Sequence, residues 1–146
     1  MQIEITDSPS DEDEAFVIAQ TRAYNTAFAE KDVRSLCIFA RDASGLIVGG
    51  LTGKTYWQYL DIAFLWVSEQ HRNRGQASRL LAAAESEARK RGCKHALVDT
   101  FCFQAPGFYQ KLGYEEFGRL SGFSGKHDRH YLHKSLDVEE RTNRRL

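Results

Sequence analysis

The stretch Arg72-Asn73-Arg74-Gly75-Gln76-Ala77 constrains this chain more than any other. It lies between an apolar strand-like run, Leu60 to Val67, and an amphipathic run, Ser78 to Arg91. A strand, a short Arg- and Gly-containing loop and a helix start leave a cluster of backbone N–H groups without helical acceptors. The helix dipole reinforces that cluster, which makes it a ready anion site. Gly75 and Ala77 let a phosphate approach the backbone, and Arg72 and Arg74 add positive charge. The alternative is an ordinary strand-to-helix turn with solvated arginines, because short glycine motifs also match by chance.

The elements around the loop read as a mixed α/β chain. Gln2 to Thr6 alternates polar and apolar residues and suggests a first strand. Ser8-Pro9-Ser10 followed by acids is a helix-start signature, and Val17, Thr21, Tyr24 and Phe28 recur at helical spacing. Leu36 to Ala40 reads as a strand, Asp42 to Gly45 as a turn, and Leu46 to Gly50 as the returning half of a hairpin. Thr52-Gly53-Lys54 gives a second turn signal, and Tyr56 to Val67 a long strand. Ala77, Leu80, Leu81, Ala84 and Ala88 form one stripe of a helix from Gly75 to Arg91, stopped by Gly92. Ala96 to Phe101 is a strand, and Ala105 to Leu112 is a short helix ended by Gly113. Tyr114 to Leu120 and His130 to Leu136 are the last two strands. The loop between them, Ser121 to Arg129, carries two glycines and is expected to be mobile.

Length and charge narrow the function. At 146 residues the chain is read as a single domain, 1–146, with 138–146 a loose polar tail. Lys plus Arg and Asp plus Glu number 20 each, so no global field favours nucleic acid or a membrane surface. No apolar run reaches membrane-spanning length, and no basic-then-apolar leader opens the sequence. Cys37, Cys93 and Cys102 show no paired spacing, which suits buried thiols in a reducing compartment. The expectation is a soluble cytoplasmic protein.

The run Leu65-Trp66-Val67-Ser68-Glu69-Gln70-His71-Arg72 and the loop form Arg-x-x-Gly-x-Ala resemble the acetyl-CoA-binding motif of the GNAT acetyltransferase superfamily. That family writes the loop Gln/Arg-x-x-Gly-x-Gly/Ala directly after a strand ending in an apolar-x-Val pair. A second family-like block, Gln104-Ala105-Pro106-Gly107-Phe108-Tyr109-Gln110-Lys111-Leu112-Gly113-Tyr114, follows at the matching distance. The resemblance spans about Asp61 to Phe117 and is weaker outside it. It departs in two places. The family often has two helices after its first strand, whereas Glu30 to Arg34 has room only for a turn. Gln104 stands where many members have Asn.

The resemblance implies a mostly antiparallel sheet of about seven strands, splayed at the cofactor cleft, with helices on both faces. It implies direct acetyl transfer from acetyl-CoA to an amine, without a covalent enzyme intermediate or a metal. Backbone groups of Leu65, Trp66 and Val67 would bond the pantetheine arm as an added strand does. The loop from Arg72 through Asn73, Arg74, Gly75, Gln76 and Ala77 to Ser78 would hold the pyrophosphate, with Gln104 capping its helix or touching the cofactor. Tyr109 would protonate the leaving thiolate; a phenol near pKa 10 stays protonated where a thiol near 8.5 does not. The other role for Tyr109 is an amphipathic core tyrosine.

The amine must be neutral to attack, which calls for a base or a water chain. Asp61 stands on the long strand where the histone-acetylating branch of the superfamily has Glu. By alternation it would share a face with Ala63, Leu65 and Val67, and apolar neighbours would raise its pKa. It could equally be an end-of-strand Asp bonded to a turn. Glu69 is the second choice, and Asp99 could orient the substrate amine. Tyr24 and Asn25 could line the acceptor pocket. Trp57, Trp66, Tyr24 and Phe28 read as core or pocket wall. His127, His130 and His133 suggest no metal site, because residues three apart on a strand face opposite ways. Cys102 has no His or Asn pattern of a nucleophile. The function expected is N-acetylation of a small-molecule amine, and a homodimer is one assembly open to the chain. A protein lysine or N-terminal acetyltransferase and a non-catalytic acyl-CoA sensor are the alternatives.

Overall fold

Residues 1–137 are described by the computed structural model; the polar tail expected at 138–146 lies outside them. The chain divides into two compact units, Met1–Asp32 and the residues from Val33 onward.

The first unit is built on α1 (Asp11–Asn25). Ser10 is its N-cap, in an extended conformation, and its hydroxyl accepts the Asp13 N–H at 3.1 Å. Asp11, Glu12, Asp13 and Glu14 fill the first turn, where the dipole favours negative charge. No α1 residue is buried, and Tyr24 and Phe28 pack against one another at 5.5 Å while both remain exposed. The core role read for these two rings is therefore overturned. Gln2–Thr6 forms no strand either. Alternation alone supplies no partner for the N–H and C=O groups of an extended segment.

The described residues of the second unit form one six-stranded sheet with two α-helices. In chain order it runs β1 (Arg34–Arg41), β2 (Ile47–Tyr56), β3 (Tyr59–Val67), α2 (Gln76–Lys90), β4 (His95–Phe101), α3 (Pro106–Lys111), β5 (Glu115–Phe123) and β6 (His127–Ser135). The spatial order is β1-β2-β3-β4-β6-β5. Among the described strands only β3 and β4 pair in parallel, because α2 is the crossover between them. Leu36, Leu51, Leu60 and Ile62 from the strands pack with Leu81, Ala84 and Ala88 of α2 to form the core. Buried Glu85 on α2 accepts from Lys134 Nζ at 2.9 Å and from the Tyr114 hydroxyl at 2.8 Å. The charges are matched and both carboxylate oxygens are bonded, which makes burial tolerable.

The structure corrects three local readings. The turn assigned to Thr52-Gly53-Lys54 lies inside β2, and the chain instead reverses at Trp57 and Gln58, with φ of 48° and 69°. Two central residues at positive φ suit the twist of a two-residue hairpin. Trp57 is exposed there and is not core. Gly53 serves another purpose, since a Cβ on it would stand 2.4 Å from the Asp61 carbonyl oxygen. It permits close backbone approach at a bulge. The segment Ser121–Arg129 is mostly strand, closed by Ser124 and Gly125 at positive φ.

That bulge decides which way β3 faces. Thr52 pairs with Phe64 and Gly53 with Ile62, so Ala63 is the extra residue. Odd-numbered residues of β2 face α2: Gly49, Leu51 and Thr55 are buried, and a Cβ on Gly49 would meet Leu80. The partners of Gly49, Leu51, Gly53 and Thr55 are Val67, Leu65, Ile62 and Leu60. Asp61, opposite Lys54, therefore shares the other face with Phe64 and Trp66, not with Leu65 and Val67 as plain alternation implies. Cys37 lies in register with Thr52 and Phe64 on that outer face and is exposed, as is Cys102; only Cys93 is a buried thiol. No helix of the described residues is long and apolar enough to cross a membrane.

Candidate active site

The parallel pairing of β3 with β4 stops at Ile62 and Val98. Beyond it Ala63 to Val67 diverge from β4, so the sheet opens and one edge of β3 has no strand partner among the described residues. The opening is a cleft of about 630 Å³. Leu65, Trp66 and Val67 line it from β3; Arg72, Asn73, Gly75, Gln76, Ala77 and Ser78 from the following loop and α2; and Gln104 and Tyr109 from the second motif. His71, Phe103, Ala105 and Phe108 line it as well. Two stretches distant in sequence, 65–78 and 103–109, thus meet in one place. Arg74 is not in the lining.

The loop is shaped by backbone conformation. Asn73 and Gly75 have φ of 62° and 73°. Nothing lies within 4 Å of where a Gly75 Cβ would stand, so its demand is conformational. Alternating left-handed residues turn successive N–H groups into a concavity suited to anions. Gly75 is the N-cap of α2 and offers no side-chain acceptor, and the first turn of α2 holds no acid. The first backbone bond of this helix runs from Arg79 N to Gly75 O at 3.1 Å, which leaves earlier N–H groups without helical acceptors. Arg72 is committed locally, its Nε donating to Val67 O at 3.0 Å. The Ser68 hydroxyl and His71 Nδ1 meet at 2.7 Å and brace the same loop.

On the opposite wall, Gln104 Oε1 accepts the Phe101 N–H at 3.0 Å, which closes the short 3-10 turn Cys102–Gln104. Ala105 at φ 61° and Pro106 then start α3. Tyr109 is buried on α3, its ring against Phe108 and Tyr114. Its hydroxyl makes no hydrogen bond to any described residue, although Tyr109 lines the cleft. Burial, helped by the charge of Asp99, pushes its pKa up to about 12.

Asp61 stands beside this cleft but not in its lining. It lines a neighbouring hollow of about 280 Å³ with Lys54, Thr52 and Phe64 on the outer face. Burial raises its pKa, Lys54 opposes the rise and Asp99 adds to it. Asp99 is held by Arg129, whose Nε and Nη2 both donate to Oδ1, at 2.9 and 2.6 Å. Glu69 begins an exposed 3-10 turn. Tyr24 and Asn25 belong to the first unit.

Further groups were not evident as neighbours from the sequence. Cys102 Sγ lies 3.6 Å from His127 Nδ1. His130 is buried against Glu116, while His133 meets the ring of Phe117. No group of three or more potential metal ligands gathers among the described residues.

A sheet opened between two parallel strands, with an uncapped helix start lining the opening, matches the splayed sheet that the resemblance to the GNAT superfamily implies. Residues 2–114 match the family described as Acetyltransferase (GNAT) family, and the chain belongs to it. The blasticidin-S acetyltransferase of Streptomyces morookaense is 39% identical over 109 residues, 72% of this chain and 80% of that protein. A crystal structure of an Agrobacterium tumefaciens protein assigned to the acetyltransferases superposes with a TM-score of 0.87 at 35% identity, covering 92% of this chain and 99% of that one. A Bacillus anthracis protein assigned as a streptothricin acetyltransferase, solved with acetyl coenzyme A, shares the fold. Its TM-score is 0.64 at 22% identity, over 73% of this chain and 65% of that one. The protein is thus a GNAT-type acetyltransferase enzyme.

Proposed function

We propose that acetyl-CoA binds in the β3–β4 cleft and that its acetyl group passes directly to a primary amine of a small molecule. The observation that carries this reading is the uncapped start of α2 in the lining of a cleft that Tyr109, whose hydroxyl has no hydrogen-bond partner among the described residues, also lines. The backbone of Leu65 to Val67 fits an extended pantetheine arm, and the Asn73–Ser78 segment fits a diphosphate. The relative named blasticidin-S acetyltransferase supports a small-molecule acceptor. A cytoplasmic setting suits the reaction.

Acetyl-CoA supplies a thioester carbonyl that an amine nitrogen can attack. Tyr109 holds a proton that it keeps through the neutral range and can give to the departing sulfur. Asp61 takes a proton from the amine, directly or through water, because desolvation leaves it more basic than a free carboxylate. Asp99 orients the amine.

The test follows free thiol release with acetyl-CoA and a panel of amines: polyamines, amino acids, aminoglycosides, blasticidin S and peptides. Release that depends on a small amine is the expected result. Release with peptides alone would move the acceptor to proteins. Binding without turnover across the panel would overturn the enzymatic mechanism in favour of a sensor.

A further inference from the structure

Arg129 lies outside both family-like blocks, yet it occupies a built site. Asp61, its parallel partner Leu97, and Asp99 two residues further along β4 share the sheet face away from α2. Arg129 stands opposite Phe101 on β6, diagonal to Asp99 on this same face. Its guanidinium lies 5.5 Å from the Phe101 ring centroid, 5.7 Å from Phe123 and 5.4 Å from Tyr131. Both of its hydrogen bonds to Asp99 fall on Oδ1. A surface ion pair alone contributes little, but a guanidinium packed among three rings has few other places to go.

We propose that Arg129 is a positioning residue for acetyl transfer, acting through Asp99: it fixes that carboxylate and offsets part of the charge that Asp99 presents to Asp61 and Tyr109. The inference rests on the mechanism above. Asp99 faces Arg129 and Tyr131 from β6 and Asp61 from β3, with Lys54 beyond it on β2, and its charge also reaches Tyr109 on α3. The charge of Asp99 already raises both Asp61 and Tyr109. Removing Arg129 leaves that charge uncompensated and raises Asp61 further, so the base is lost at a higher pH.

Carboxyl-carbon NMR titration of Asp61 reads this without catalysis, and the pH profile of kcat/KM for the amine reads it in turnover. Arg129→Gln is expected to move the Asp61 midpoint up by roughly half a pH unit. The acid limb of the profile should follow, with an approximately threefold loss of rate below it. Arg129→Lys should restore most of the shift. In an Asp99→Asn background Arg129→Gln should cause no further shift. Coenzyme A affinity, measured by calorimetry, should stay within about twofold in every variant, which verifies folding. A midpoint that does not move in Arg129→Gln, or that moves equally without Asp99, overturns the inference. A midpoint that moves while the rate profile stays fixed upholds the coupling and removes Asp61 from the base role instead.

Discussion

The two long helices have the same length, 15 residues each, and opposite beginnings. Both start with N–H groups that lack acceptors and with the positive end of a dipole. At α1 the chain satisfies these itself, with the Ser10 hydroxyl and four acids in the first turn. At α2 it supplies neither, and places there a left-handed glycine with no side-chain acceptor. The difference lies in what each end faces. The α1 start is exposed on its own unit, whereas the α2 start opens onto the cleft between β3 and β4. A helix end left without acceptors beside a cavity is suited to an anion, as the proposed diphosphate site requires; the same end filled by the chain is suited to stability alone.

The comparison can be broken by substitution. The largest effect is expected where binding becomes chemistry. Tyr109→Phe should lower kcat about 100-fold, the low end for loss of a general acid, while calorimetry shows coenzyme A affinity within about twofold. Equal turnover would leave Tyr109 a core ring and no more. Next, Ala77→Asp gives α2 the kind of acid that α1 carries. It should weaken coenzyme A binding by roughly tenfold or more without lowering thermal stability, because the helix gains what the ligand loses. Undiminished affinity would show that the diphosphate lies elsewhere.

A smaller effect concerns pH. Asp61 must be ionised to accept a proton, and burial raises its pKa, so the rate should fall on acidification at a higher pH than a free carboxylate would impose. Asp61→Asn should abolish that limb; an unaltered profile points to a water chain or another group. The smallest effect on function belongs to the other helix. Ser10→Ala should cost α1 about 1 kcal/mol, seen as faster amide exchange in its first turn, with coenzyme A binding unchanged.

The contrast between the helix starts was legible in the sequence, because caps, acids and glycines act locally. Ser10 with its acids and Gly75 before an apolar stripe each specify their element from neighbours alone. The cleft walls were legible through the two motif blocks, since their resemblance carries a known spatial relation. What failed depends on the partner strand. The outward face of Asp61 follows from the bulge at Ala63, and nothing in Leu60-Asp61-Ile62-Ala63-Phe64 announces an extra residue. Gly53 looked like a turn because a glycine needed for close strand approach and one needed for reversal read alike. Trp57 and Gln58 carry the true reversal without glycine or proline. Arg129 stands 30 residues from Asp99, too far for any local pattern to pair them.

The most direct test of the central claim compares acetyl-CoA with acetyl-pantetheine, which lacks the diphosphate, by calorimetry on the intact protein. If the α2 start grips the diphosphate, the truncated ligand should bind at least about tenfold more weakly, a loss of roughly 1.4 kcal/mol or more. Equal affinity for the two, or no binding of acetyl-CoA at all, would contradict the account.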